Sequence, residues 1–308
     1  GRNGLARRER RDTRHRGRWG TRSRPCGGRE STERAAAHFL PLGQVGVGVR
    51  GGAEAAVQSV RCALAARSSD DFVVLKIDLE NAFNAGNRKV ILEEVESHFP
   101  ELVAWFRYCY GQKAKLFCQG EILEFGSTTG VQQGDPLGPF LFSLSLTKCL
   151  SRLKEHLSAQ ALSVWYLDDG TIAGPRAAVL GAWEIIRDET AKAGYRVNLT
   201  KCELFSPNHP LPSCFPPEFI RLPSNGFELL GSPIGTSAFC ETYVKKRVTR
   251  IGNALQGLSC IDDPQVELLL LKKCLRVPKF VRGNLSGSSR RPRVVVNSSF
   301  LVRRACVA

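Results

Sequence analysis

The chain has 308 residues, 43% of them hydrophobic, and a formal net charge of +15. That length suits one large domain or two, and without an uninterrupted apolar run of ~18 residues no transmembrane helix is expected. The charge is concentrated at the ends, because residues 1–34 hold 12 Arg against 4 acids, residues 276–308 hold 8 basic residues and no acid, and residues 35–275 are left at −1.

In chain order, residues 1–38 read as a disordered basic segment, low in apolar content, with no apolar stretch of the kind a secretory leader carries. Such a segment suits either phosphate-backbone binding or a plain solvated tail. Gly43–Gly52 is Gly-rich, and 53–67 has helical spacing. The run Phe72–Leu79 is apolar up to a carboxylate, as a buried strand is. Residues 88–110 are predicted helical with a break at Pro100, and 115–125 as a hairpin turning at Gly120. A long helix is expected over 136–157, with Leu146, Leu150, Leu153 and Leu157 in one stripe. Residues 161–174 read as strand, tight turn and strand, and 177–193 as helix. Short strands follow near 195–205 and 227–231, then helices over 240–257 and 264–275, the last with Asp263 as cap and Pro264 in the first turn. Residues 278–308 form a basic low-complexity tail. The irregular alternation of strands and helices, with hairpins, predicts an α+β fold and not a doubly wound parallel sheet. The 11 Cys show no CxxC pair and the five His stand apart, so no zinc site is expected and free thiols are. Gly stands first and Met is absent, the pattern expected of a piece of a longer protein.

Three segments carry chemistry. Tyr166-Leu167-Asp168-Asp169 places two carboxylates in the turn of an apolar hairpin, where they repel each other and favour a cation. Alone, such a pair is also ordinary turn chemistry. Asp78 ends a strongly apolar strand, and adjacent strands can set it beside Asp168 and Asp169. Three carboxylates so placed suit two divalent ions ~3.5–4 Å apart, the arrangement for in-line phosphoryl transfer. Between them, Gly130–Pro139 (GVQQGDPLGP) offers glycines for close backbone approach and Gln133 as both donor and acceptor. Asp135 and Pro136 there equally suit a cap and first turn.

In this order and spacing, LKIDLENAFN, GVQQGDPLGPFLF and YLDD resemble motifs A, B and C of the reverse transcriptases, in the form found in non-LTR retrotransposons and related retroelements. GYRVNLTKCEL (194–204) resembles motif D, FELLGSPIG (227–235) the primer-gripping motif E, and LGQVGVGVRGGAEAAV (42–57) the end of the fingers. The resemblance covers about residues 40–277. It implies a right-hand polymerase palm with partial fingers and a truncated thumb, and a reverse transcriptase domain spanning 39–277. It further implies an RNA template, a DNA primer, dNTPs, and two Mg²⁺ for which Mn²⁺ can substitute. Asp78 and Asp168 match the principal metal ligands, with Asp169 in support. Phe83 matches the gate that excludes a ribose 2′-OH. Gln133 and Gly134 match the nucleotide-pocket residues, Tyr166 the residue under the primer end, and Lys201 the lysine that protonates pyrophosphate. Arg50 and Arg61 are candidates for the triphosphate. Gly138 departs from the Ser of many relatives, and Asn84 from their Asp. Two other readings stay open: a catalytically inactive remnant with residual nucleic-acid binding, and an RNA-dependent RNA polymerase, which the bulky Phe83 disfavours.

Overall fold

The computed structural model describes residues 26–67, 71–118, 121–157, 161–208, 213–258 and 260–274. Helix α1 is Cys26–Phe39 and α2 is Gly52–Ala65. Strand β1 (Phe72–Ile77) is followed by short α3 (Ala82–Ala85), then α4 (Arg88–His98) and α5 (Val103–Tyr110). The hairpin β2 (Ala114–Cys118) and β3 (Glu121–Ser127) leads to α6 (Gly138–Ser145) and α7 (Thr147–His156). The second hairpin is β4 (Leu162–Tyr166) and β5 (Asp169–Pro175), after which α8 runs Arg176–Lys192. Then come β6 (Glu203–Phe205), β7 (Ile220–Arg221), β8 (Gly226–Leu229), β9 (Ser232–Gly235), α9 (Ser237–Leu258) and α10 (Pro264–Cys274).

Five strands form one sheet in the order β4-β5-β1-β6-β7. All pairings are antiparallel except β6 with β7. This is the α+β layout expected from the sequence. The apolar run at β1 is explained by a sheet covered on both faces. Val73, Leu75 and Ile77 face one core together with Trp165, Ile172 and Leu204, against helical residues such as Ile91, Leu150 and Ile186. Phe72 and Val74 face a second core with Val164, Ala173 and Phe205, covered by Val57 and Val60 of α2 and by Phe227 and Ile234 of the β8–β9 hairpin. Each large side chain so buried contributes ~1.5–3 kcal/mol. Beyond Val74 the second face turns polar, with Lys76 and then Asp78.

Local chemistry sets the element ends. The Asn87 side chain caps α4 by accepting from Lys89 N–H at 2.9 Å, and Asp263, the cap expected from the sequence, accepts from Gln265 and Val266 at the start of α10. Gly194, at φ +88°, ends α8, where Tyr195 N–H returns to Thr190 O at 2.9 Å.

Two expectations need correction. Residues 26–38, read as disordered, are helical, and Ala35 and Phe39 are buried in the main core. Phe39 meets Phe140 at 5.7 Å, and Arg34 pairs with Glu101 at 2.6 Å while lying over Phe99. The average composition of the Arg-rich segment masked a helix whose stability comes from the few residues that dock. The single helix over 136–157 is two helices meeting at Leu146, whose N–H bonds to Ser143 O at 3.2 Å. Ser145 Oγ donates back to Phe142 O at 2.6 Å, a bond that competes with helix geometry. The leucine stripe itself is as expected, with Leu146, Leu150 and Leu153 fully buried. Gly120, residues 1–25 and the 278–308 tail lie outside the described residues.

Candidate functional site: a carboxylate hairpin on the five-stranded sheet

The register places the carboxylates. Ile77 pairs with Gly170, so the next step along both strands brings Asp78 level with Asp169. Tyr166 pairs with Asp169, leaving Leu167 and Asp168 as the two turn residues. Leu167 adopts φ +57°, a conformation costly for a side chain that branches at Cγ. Burial first, and then repulsion from Asp78, raises the pKa of Asp168 above the usual carboxylate value. Asp169 is raised by burial and by repulsion from Asp168 and Asp78, with Lys76 opposing. Lys76 lies on the same face, pairs with Glu203 at 2.5 Å and donates to Glu228 O at 2.9 Å, tying the β8–β9 hairpin to the carboxylate strand.

Neighbouring carboxylates held against mutual repulsion fit a hard divalent cation. Among the described residues no group of three or more His, Cys, Asp or Glu is gathered closely enough to hold a metal alone. The expected three-carboxylate cluster is therefore not a closed cage, and an ion there would complete its shell with water and substrate phosphate, as Mg²⁺ does.

Phe83 and the Gly130–Pro139 loop form a second unit. Val131 N–H donates to Phe83 O and Gly130 N–H to Gly86 O, both at 2.7 Å. Gly130 is at φ +63°, and a Cβ there would collide with the Phe83 and Asn84 backbone. The half-buried Phe83 ring stacks on Phe142 at 4.8 Å. Asp135 accepts from Leu137 N–H at 2.9 Å and from the Tyr110 hydroxyl, which closes the turn before α6. The helix N-cap is Leu137, without a side-chain bond, so Asp135 and Pro136 are not the cap and first-turn residue the sequence offered. Gln133 and Gly134 are exposed on this loop. Lys201 is exposed in a turn whose Asn198 N–H donates to Asp78 O at 2.9 Å. Tyr166 is half-buried against the second core. The register thus brings Asp78, Asp168, Asp169 and Tyr166 together. Lys201 is linked to Asp78 through the backbone of its turn, while Gln133 and Gly134 belong to the loop bonded to Phe83 and Gly86.

Two residues escaped the sequence reading. Arg88 donates to Gly130 O, to Ser127 O and Oγ and to Thr129 O, and lies 5.2 Å over the Tyr110 ring. Gln44, fully buried, hydrogen-bonds the Leu167 backbone twice. Only their hydrogen bonds across 39–42 and 123 positions of sequence reveal them. Of the basic candidates, Arg61 donates to Pro233 O at 2.8 Å and so supports the β8–β9 hairpin.

A largely antiparallel sheet covered on both faces, with adjacent carboxylates in a hairpin turn and a third level with them, fits the palm of a nucleotide polymerase. Residues 48–234 match the family described as "Reverse transcriptase (RNA-dependent DNA polymerase)". The match spans more than half of the chain, and the chain belongs to that family. Over 133 residues it is 34% identical to the retrotransposable element SLACS 132 kDa protein of Trypanosoma brucei gambiense, covering 42% of this chain and 11% of that protein. The chain therefore spans about a tenth of the length of this curated relative. Among solved structures, apo telomerase from Candida tropicalis aligns with a TM-score of 0.52 at 12% identity, over 67% of this chain and 38% of that one. A form truncated from the C-terminal domain gives 0.51 at 16% identity, over 68% and 44%. Telomerase from Candida albicans in complex with a TWJ fragment of telomeric RNA gives 0.50 at 12%, over 72% and 40%. At these identities the likeness shows the fold alone.

Proposed function

We propose that the chain is the RNA-directed DNA polymerase domain of a retroelement, extending a primer 3′-OH with dNTPs on an RNA template. The observation that carries this is the Ile77–Gly170 register, which sets Asp78 beside the Asp168–Asp169 turn. Family membership and the partial identity to a retrotransposable element protein support it. In this reading the polymerase spans 39–277, with α9 and α10 starting the thumb.

Asp78 and Asp168 would hold two Mg²⁺, with Asp169 in support and Mn²⁺ as a substitute. When bound, such ions activate the attacking hydroxyl and stabilise the leaving pyrophosphate. The remaining work belongs to the chain. Stacking on Phe142 limits movement of the Phe83 ring, so it can refuse a ribose 2′-OH by steric exclusion. Gln133 and Gly134 meet the nascent base pair from an exposed loop. Tyr166 supports the primer end, and the β8–β9 hairpin, fixed by Lys76 and Arg61, grips it. Lys201 donates a proton to the departing pyrophosphate.

The test is extension on one RNA template with dNTPs or with rNTPs. Extension with dNTPs alone supports the proposal, whereas preference for rNTPs would assign an RNA polymerase.

A further inference from the structure

Beyond the carboxylates themselves, we propose that Gln44 is a positioning residue of this site, its side-chain amide fixing the turn that presents Asp168 and Asp169 and thereby setting affinity for divalent ions. This rests on the reading of those carboxylates as the ion site.

Gln44 is fully buried, and its amide is used at both ends. Oε1 accepts from Leu167 N–H at 2.8 Å and from Gly46 N–H at 2.9 Å, while Nε2 donates to Leu167 O at 3.0 Å. Backbone bonds hold the same segment against β4, because Val45 N–H donates to Trp165 O and Trp165 N–H to Gly43 O, both at 2.8 Å. The fit is close. A Cβ on Gly43 would lie 2.5 Å from Ser163 O, and one on Gly46 would lie 2.6 Å from Leu167 N.

The turn needs this support. Leu167 is held at positive φ, and the next two residues are carboxylates that repel each other and Asp78. Both strain and repulsion favour a turn that opens. An amide of this length accepts from the Leu167 N–H and donates to the Leu167 carbonyl at once, which an ionised carboxylate cannot do. A glutamate keeps the acceptor and loses the donor. A leucine loses both and buries the peptide groups unpaired.

The experiment is Mn²⁺ binding to the full chain by electron paramagnetic resonance, for wild type, Gln44→Leu and Gln44→Glu, with melting curves and a Mg²⁺ titration of primer extension. Groups that orient metal ligands typically cost about 10–100-fold in affinity or activity when lost. Gln44→Leu should weaken Mn²⁺ binding about 10-fold and raise the Mg²⁺ requirement in parallel, with the template–primer KM within about two-fold of wild type. Gln44→Glu should fall between, and it decides the matter if Gln44→Leu does not fold. Wild-type Mn²⁺ affinity in Gln44→Glu and in any folded Gln44→Leu overturns the proposal while sparing the ion site. A wild-type chain that binds no Mn²⁺ overturns the ion site and the proposal together.

Discussion

Gly170 lies against the ring of Trp165 so closely that a Cβ on the glycine would sit 2.6 Å from Cη2 of the indole. The two residues pair across the β4–β5 ladder, and the fully buried ring packs in the main core on the face opposite Asp169. Gly170→Ala should therefore displace either the ring or the strand that carries Asp169. The expected loss is about 1–3 kcal/mol, as for other overpacked cores, read by urea unfolding. Primer extension should fall with it.

Removing a carboxylate should separate stability from activity. Asp78 raises the pKa of both Asp168 and Asp169 by repulsion. In EDTA, Asp78→Asn should melt at or above the wild-type temperature, yet should not extend a primer. Added Mg²⁺ should stabilise the wild type more than the variant. A variant that melts well below wild type in EDTA would mean that Asp78 serves the fold.

The Gly130–Pro139 loop should depend on the shape of Arg88 and not only on its charge. The guanidinium reaches four acceptor atoms and covers Tyr110, a planar fork that an ammonium cannot reproduce. Arg88→Lys should cost about 1–3 kcal/mol, as other lost charged hydrogen bonds do, and should raise the KM for dNTP through the loosened loop. Steady-state kinetics checks this, and an unchanged KM would contradict it.

Much of this architecture could be read from the sequence because local signals and tertiary environment agree. The β1 run, the YLDD hairpin, the Leu146–Leu153 stripe and the Asp263 cap each follow from periodicity or capping chemistry. Gln44 and Arg88 could not be found that way, since their roles lie in contacts with residues far along the chain. The same holds for α1, where Phe39 docks a helix whose composition is otherwise that of a solvated segment. Lys201 and Gln133 are legible by resemblance alone, because exposed side chains leave no mark in hydrophobic periodicity or capping chemistry.

Acid stability should carry the mark of Glu189. Lys192 first, then Arg152, hold its carboxyl below the usual glutamate value against the opposing effect of burial. The carboxylate is 7% exposed and meets Lys192 at 2.6 Å. A pKa depressed by folding adds stability that is fully present above the unfolded value of 4.5 and is lost as pH falls through the lower folded value. Glu189→Gln should cost about 1–2 kcal/mol at pH 7, and its deficit should shrink below pH 4.5. Urea unfolding at several pH values measures it, and a constant deficit would contradict the linkage.

In the proposed reading the Asp168–Asp169 turn is the chemical centre of a reverse transcriptase. The most direct test of that reading is primer extension on an RNA template by the full chain, with Mg²⁺ and dNTPs, beside the double variant Asp168→Ala, Asp169→Ala. Extension by the wild type and none by the variant is expected, with template–primer binding retained in both. Equal extension by the two proteins, or none by the wild type, would contradict it.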